Sequence, residues 1–305
     1  MKFSVETWAP EYGIGFDAQQ LEESTDTVDV GVEVEADDWS PVTPAAVDPP
    51  ACVLFIDGVR RIDVRVWISD GELARAGVCA SVAAGAVRCT RSEAHVVDAA
   101  VMRGVYAAPS EAAGPIVTDH GTYEFVPCAS DAPDSVYNGI HEQMTRLETR
   151  FGNDDDADMV VFDGPLRGRI NPKGVGYIKT QHVQYLPESE QRVLQLLDTG
   201  QRTPLFLIGG AGFTRWSWYL RLPGPDTHPL AGIVRCELPG VGSAAEAIRR
   251  ADQTTATLPR FASEPHKDSR APQNLYPIAG LENKLRHRLG DQSKLERALR
   301  IAADG

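Results

Sequence analysis

The sequence predicts an α/β fold in which a mixed sheet is flanked by helices, and three observations carry that prediction. A continuous apolar run at 52–56 is followed by a stretch in which Ile62, Val64, Val66 and Ile68 alternate with polar neighbours. The first pattern suits a strand buried on both faces and the second a strand buried on one. Apolar residues then recur at helical spacing as Val136, Ile140, Met144, Leu147 and Phe151. Short apolar runs and amphipathic stretches follow in mixed order, which places the chain in the α/β class.

In chain order, residues 1–50 are polar and acidic and close on Pro41, Pro44, Pro49 and Pro50. They read as a partly ordered acidic arm with a Pro-rich linker, leaving 51–305 as the main domain. The strand at 52–56 is expected to stop at Asp57-Gly58, a common turn dipeptide. The alternating stretch at 62–68 is a second strand. The small, apolar segment 71–87 is a third, with a turn at Gly85-Ala86, and three consecutive strands form an antiparallel meander. Segments 96–101 and 123–126 are short strands or short helices. Asp134 or Ser135 can cap the helix over 134–151, which the acidic GNDDDAD stretch ends. A second buried strand at 159–162 again runs into Asp-Gly, at Asp163-Gly164. Further strands are expected at 174–180, 205–208, 216–222 and 232–238, with helices at 188–197, 244–252, 280–289 and 293–303.

Bulk composition narrows the classes. Of 305 residues, 42% are hydrophobic and 24% charged, ordinary values for a soluble globular protein. No apolar run approaches the length of a membrane span, and the start MKFSVETWAP lacks the pattern of a signal peptide. Cys52, Cys79, Cys89, Cys128 and Cys236 are scattered, odd in number and never in a C-x-x-C pair. That pattern points to reduced thiols in the cytoplasm and away from structural zinc. The net charge is −13, but residues 1–50 hold twelve acidic side chains against one Lys and so account for −11 of it. The nearly neutral body argues against a broad basic surface that binds nucleic acid unaided. A local groove, or a partner that delivers the strand, is what remains.

The two Asp-Gly pairs, in LFIDG at 54–58 and VVFDG at 160–164, carry the chemistry. An Asp at the C-terminal end of a buried strand projects from the sheet edge, where loops build open sites. Two or three converging carboxylates bind hard cations such as Mg²⁺ or Mn²⁺ through oxygen. Two such ions can activate a water and stabilise the leaving oxygen in phosphodiester cleavage. A third acidic ligand comes most naturally from the helix before the second strand. Meander with the first Asp, helix with a Glu, strand ending in the second Asp: this is the RNase H layout. Each Asp-Gly is equally readable as an ordinary turn, and spacing alone leaves both readings open.

The motifs FIDGVRR, RLE on a helix, VVFDGPLRGR, VGYIKT, RWSWYLRL and LYPIAGLE follow one another over roughly residues 30–290. Together they resemble the successive motifs of NurA nucleases, the most specific being DG-P-L after a helix with L-E. The resemblance implies an RNase H-like fold, a homodimer, Mn²⁺ or Mg²⁺ as cofactor, and DNA as substrate, both single-stranded and at duplex ends. It further implies a hexameric HerA-type ATPase as partner, 5′–3′ exonuclease and single-strand endonuclease activity, and a place in end resection and double-strand break repair. The absence of a Gly-Lys-Ser/Thr loop in IGGAGFT at 208–214 fits an ATPase supplied by a partner. The acidic N-terminal region is expected to contact a second copy or that partner.

Carried over by position, Asp57 falls on the family's first metal-binding Asp and Asp163 on its second. Glu148 matches the helical Glu, with Glu142 competing because it lies nearer the helix start, where RNase H-like enzymes place this ligand. The family commonly ends in P-L-x-x-A-H, and here residues 277–282 put Glu282 where that His is expected. Glu can ligate a cation but cannot act as a cationic proton donor. Lys179 matches a Lys in the family's G-x-x-K stretch and is expected at the scissile phosphate, or else as a surface Lys. Arg167 and Arg169 are natural phosphate clamps, since guanidinium matches phosphate geometry; the acidic turn at 154–158 is their other partner. Trp216, Trp218 and Tyr219 suit core packing or base stacking. Two rival functions stand beside the nuclease: a catalytically silent RNase H-like scaffold that binds DNA or a translocase, and an enzyme acting on RNA or hybrid strands.

Overall fold

The computed structural model describes residues 22–23, 26–70, 73–110, 113–153, 156–167, 169, 171–180, 183–210, 213–225 and 227–304. These form two compact units. The first draws its described residues from Met1–Phe55, Cys89–Ala94 and Asp155–Ala279, the second from Ile56–Arg88, His95–Asp154 and Gly280–Gly305. In chain order the strands begin with β1 (Glu22–Glu23), β2 (Thr27–Asp29), β3 (Cys52–Asp70), β4 (Leu73–Thr90), β5 (Ala94–Ala107), β6 (Ile116–Thr118) and β7 (Gly121–Pro127). They continue with β8 (Met159–Asp163), β9 (Gly174–Ile178), β10 (Val183–Gln184), β11 (Phe206–Gly210), β12 (Phe213–Arg221) and β13 (Ile233–Pro239). The helices are α1 (Pro133–Gly152), α2 (Glu188–Leu196), α3 (Ala244–Thr257), α4 (Tyr276–Arg288) and α5 (Gln292–Asp304).

In the first unit the strand order is β2-β11-β12-β13-β9-β8-β3. β11 to β13 pair antiparallel, as do β13 and β9, whereas β8 and β9 run parallel with Val160 opposite Gly174. The sheet is therefore mixed, as expected. β3 starts where β8 starts: the Asp158 N–H donates to the Cys52 carbonyl at 3.0 Å, and the Cys52 N–H donates to the Asp158 carboxylate at 2.9 Å. Phe206, Ile208, Tyr219 and Ile233 pack against Val193 and Leu194 of α2 to form this unit's core.

In the second unit the order is β3-β4-β5-β7-β6. The links between β3, β4 and β5 are far too short for a crossover, so the three form an antiparallel meander. Small residues on β4 let α1 lie close: Ala80, Val82 and Ala84 pack with Val136, Ile140, Met144 and Leu147. Meander, helix, then two adjacent strands in parallel, with β8 beside β3, is the RNase H-like arrangement.

Several local expectations are corrected. β3 does not stop at Asp57-Gly58 but runs unbroken for 19 residues, and β4 passes through Gly85-Ala86 without a turn. The meander is thus built of β3, β4 and β5, one strand further along the chain than expected. These glycines serve close packing. A Cβ at Gly85 would lie 2.9 Å from the Ala99 Cβ and 2.8 Å from the Asp98 carbonyl. Gly164 is a true turn glycine, with φ at +104°, so the second Asp-Gly does end its strand. Helix α1 starts one residue early with Pro133 in its first turn and Ala132 as its N-cap, replacing Asp134 or Ser135.

The acidic segment is not simply an arm. Thr27–Asp29 pairs with β11, and the Trp39 indole donates to the Val30 carbonyl. Glu33 forms a bidentate pair with the buried Arg202 at 2.7 and 2.8 Å, and Arg202 also binds Asp252 at 2.7 Å. Further on, the Ala45 N–H meets Asp252 and the Asp48 carbonyl meets Gln253, which holds the Pro-rich stretch along α3. The described part of the acidic segment is therefore tied to the first unit by these contacts.

Candidate functional site

Unbroken β3 sets Asp57 within a strand rather than at its tip. Asp57 is buried, and its Oδ1 accepts the Gly58 N–H at 2.7 Å. Helix α1 crosses Gly58 so tightly that a Cβ there would lie 2.5 Å from the Glu148 Oε1 and 2.7 Å from the Met144 Cγ. Glu148 is only 2% exposed, whereas Glu142 points outward and pairs with Arg146 at 3.7 Å on a well-exposed face. Of the two helical candidates, Glu148 is the one set against the residue that follows Asp57. A buried carboxylate is costly unless it is held by partners or a cation.

In the first unit Asp163 closes β8 beside β9, and Lys179 follows β9. The Lys179 ammonium donates to Asp163 Oδ2 at 2.7 Å and to Asn274 Oδ1 at 2.9 Å, while Asn274 donates to Asp268 at 2.6 Å. Asn274 is fully buried, so its amide is fixed in one orientation and fixes the ammonium in turn. Two of the three ammonium donors are thereby assigned. Tyr177, between them on β9, donates to the Gln273 carbonyl at 2.6 Å, and burial pushes its phenol well above its ordinary range, so it stays neutral.

The loop after Asp163 is buttressed from behind. Glu237 on β13, itself fully buried, accepts the Leu166 N–H at 2.5 Å and pairs with Arg235 at 2.9 Å and Arg215 at 3.4 Å. Gly176 makes room for it, since a Cβ there would lie 2.7 Å from the Glu237 Cγ and 3.1 Å from the Gly164 carbonyl. Arg169 folds into this loop: it is buried, donates to the Pro165 carbonyl and lies over the Phe162 ring at 5.7 Å. Arg167 is exposed. The expected pair of phosphate clamps is thus divided, one inside the loop and one outside.

Glu282 lies on α4 and pairs with Arg286 one helical turn on, at 2.8 Å. Trp216, Trp218 and Tyr219 are all buried, which makes them core residues rather than a stacking surface. Asn274, Asp268 and Glu237 were not legible as site residues. The available signals were the polar Gln273-Asn274 pair just ahead of an apolar helix start, and opposite charges two apart in IVRCELP.

Metal fit rests on donor chemistry. Asp57 and Glu148 offer oxygen ligands only, the set that hard divalent cations take. Among the described residues, no three His, Cys, Asp or Glu side chains gather closely enough to hold a metal by themselves. A pair of carboxylates still suits Mg²⁺ or Mn²⁺, which keep waters and bind substrate phosphate oxygens. Among the described residues no helix is long and apolar enough to cross a membrane.

No family model matches the sequence, and no curated protein does. Solved structures do. The NurA nuclease from Sulfolobus solfataricus is similar at 12% identity over 82% of this chain and 84% of that one, with a TM-score of 0.49. Endonuclease V from Bacillus subtilis shows 10% identity over 78% and 80%, with a TM-score of 0.36. Human ENDOV shows 16% identity over 82% and 92%, with a TM-score of 0.37.

Proposed function

We propose that this chain hydrolyses DNA phosphodiester bonds with Mn²⁺ or Mg²⁺. The observation that carries the reading is Glu148, a buried carboxylate set against Gly58, the residue that follows Asp57. A solvated helix face would not hold a Glu there. The motif resemblance assigns the same residues, with Asp163 as the family's second metal-binding Asp.

In this reading Asp57 and Glu148 hold the cation, and the motif resemblance assigns Asp163 as a further ligand. When bound, the metal supplies a Lewis acid and an activated water, one or two ions sharing these tasks. Lys179 orients Asp163, and its third donor is available for a phosphate oxygen. Arg167 contacts the strand backbone, while Arg169 and Glu237 keep the 163–166 loop in shape. The resemblance assigns Glu282 to the site as well, at the position of the family's His, with Arg286 as its ion-pair partner. The finer activity follows the resemblance: 5′–3′ exonuclease and single-strand endonuclease action in end resection, as a homodimer with a HerA-type hexameric ATPase.

The test is digestion of end-labelled single- and double-stranded DNA with Mn²⁺, Mg²⁺ or EDTA. Wild type is compared with Asp57→Ala, Glu148→Gln and Glu142→Gln. Metal-dependent cleavage lost in the first two and retained in the third is the expected result. Cleavage that survives EDTA or Asp57→Ala overturns the reading. No cleavage even with a HerA-type partner and ATP shifts the assignment to the silent scaffold.

A further inference from the structure

Three side chains on the α1 side of β3 have no role in that scheme. Arg60 lies three residues further along β3 and places its guanidinium over the Tyr137 ring at 4.6 Å, with a hydrogen bond to the Tyr137 hydroxyl. His141, one turn along α1, meets the same ring edge-on at 4.7 Å and 68°. Tyr137 is nevertheless 43% exposed.

Their placement follows from the strand. Successive residues alternate sides, so Arg60 shares its side of β3 with Gly58. Helix α1 lies on that side, giving Glu148 to Gly58 and Tyr137 to Arg60. Arg60 follows Gly58 by about 7 Å of strand, roughly two stacked-base steps.

We propose that Arg60, Tyr137 and His141 form a stacking platform for a base of an unpaired nucleic-acid strand, with Arg60 taking a neighbouring phosphate. The inference rests on the nuclease reading for its substrate class, but not on hydrolysis. An exposed aromatic ring with a cation on its face is the chemistry that single strands use: every base has a π-face, and every link carries a negative charge. In a chain of net charge −13, such local contacts must replace a general basic surface. Duplex fits poorly, because its bases are already stacked.

The experiment is fluorescence anisotropy in EDTA, so that binding is read with chemistry silent. Labelled oligo-dT, oligo-rU, an abasic strand of equal length and a duplex are titrated with wild type, Tyr137→Ala, Tyr137→Phe and Arg60→Ala, after thermal unfolding has verified each fold. Tyr137→Ala should weaken single-strand binding about tenfold to a hundredfold, while Tyr137→Phe stays within about twofold. Wild type should bind the abasic strand as weakly as Tyr137→Ala binds oligo-dT. Arg60→Ala should lower the salt slope by about one. Binding of either sugar supports the platform, and a preference identifies the strand. Equal binding of abasic and base-bearing strands, tighter binding of duplex, an unaffected Tyr137→Ala, or no single-strand binding by wild type each overturns it. Wild type that binds single strands but cleaves none with Mn²⁺ or Mg²⁺ would instead sink the hydrolytic reading and leave the platform standing.

Discussion

Glu148 occupies the space that a side chain on residue 58 would need: a Cβ built on Gly58 lies 2.5 Å from its Oε1. The glycine of the first Asp-Gly is therefore required by a close helix crossing and not by a turn. One contact links the motif dipeptide to the helical acid.

Gly58→Ala is accordingly expected to push α1 off β3. Overpacking of this kind costs about 1–3 kcal/mol, and a carboxylate moved by 1 Å weakens cleavage far more than it weakens the fold. Urea denaturation and DNA digestion read the two effects. Unchanged stability together with unchanged digestion would remove Glu148 from the site.

Asn274 sets the position of Lys179. Asn274→Ala removes one hydrogen-bond partner from Asp268 and one from Lys179, leaving them Arg270 and Asp163, a loss of about 1–3 kcal/mol. Lys179→Ala, at a site partly open to solvent, should cost less stability and more activity. If the two variants lose activity and stability in the same proportion, Lys179 is purely structural.

Glu33 anchors the acidic segment through Arg202, which is 1% exposed. Arg202→Ala removes the shared partner of Glu33 and Asp252, and breaking a buried pair in this way costs about 3–5 kcal/mol. Limited proteolysis should then cut within residues 26–50, where wild type resists. Protection unchanged in the variant would show that Glu33 is not the anchor.

Alkaline pH should unfold the protein early. Burial raises Cys79 to about 12, with Asp63 adding to it, and raises Cys89 to about 11, against an ordinary 9.0. Burial likewise raises Tyr106 and Tyr219 to about 12 from 10.0. The native state then holds more protons than the unfolded one, so stability is intact below about pH 9 and falls as pH rises towards 11–12. Urea midpoints measured from pH 7.5 to 10.5 should decline through the upper end. A flat profile would contradict these shifts. The same burial should keep Cys79 and Cys89 from iodoacetamide at pH 8, since the thiolate is the reactive form.

Much of the fold could be read from pattern. Helical spacing located α1 to within a residue at either end, and the apolar runs at 159–162 and 232–238 became β8 and β13. Errors gathered at glycine: Asp57-Gly58 and Gly85-Ala86 looked like turns because the same residue serves turns and close approaches. Trp218 and Tyr219 were ambiguous between core and stacking surface until burial was known.

By itself, then, the sequence determined the α/β class, the strand carrying Asp163 and the helix carrying Glu148, because periodicity and strand-ending dipeptides are local properties. Tertiary structure alone buried Glu148 while leaving Glu142 in solvent, turned Arg169 inward while leaving Arg167 outside, and brought Asn274 to Lys179. Each of those depends on which residue a distant element packs against, and no local pattern encodes a neighbour 95 residues away.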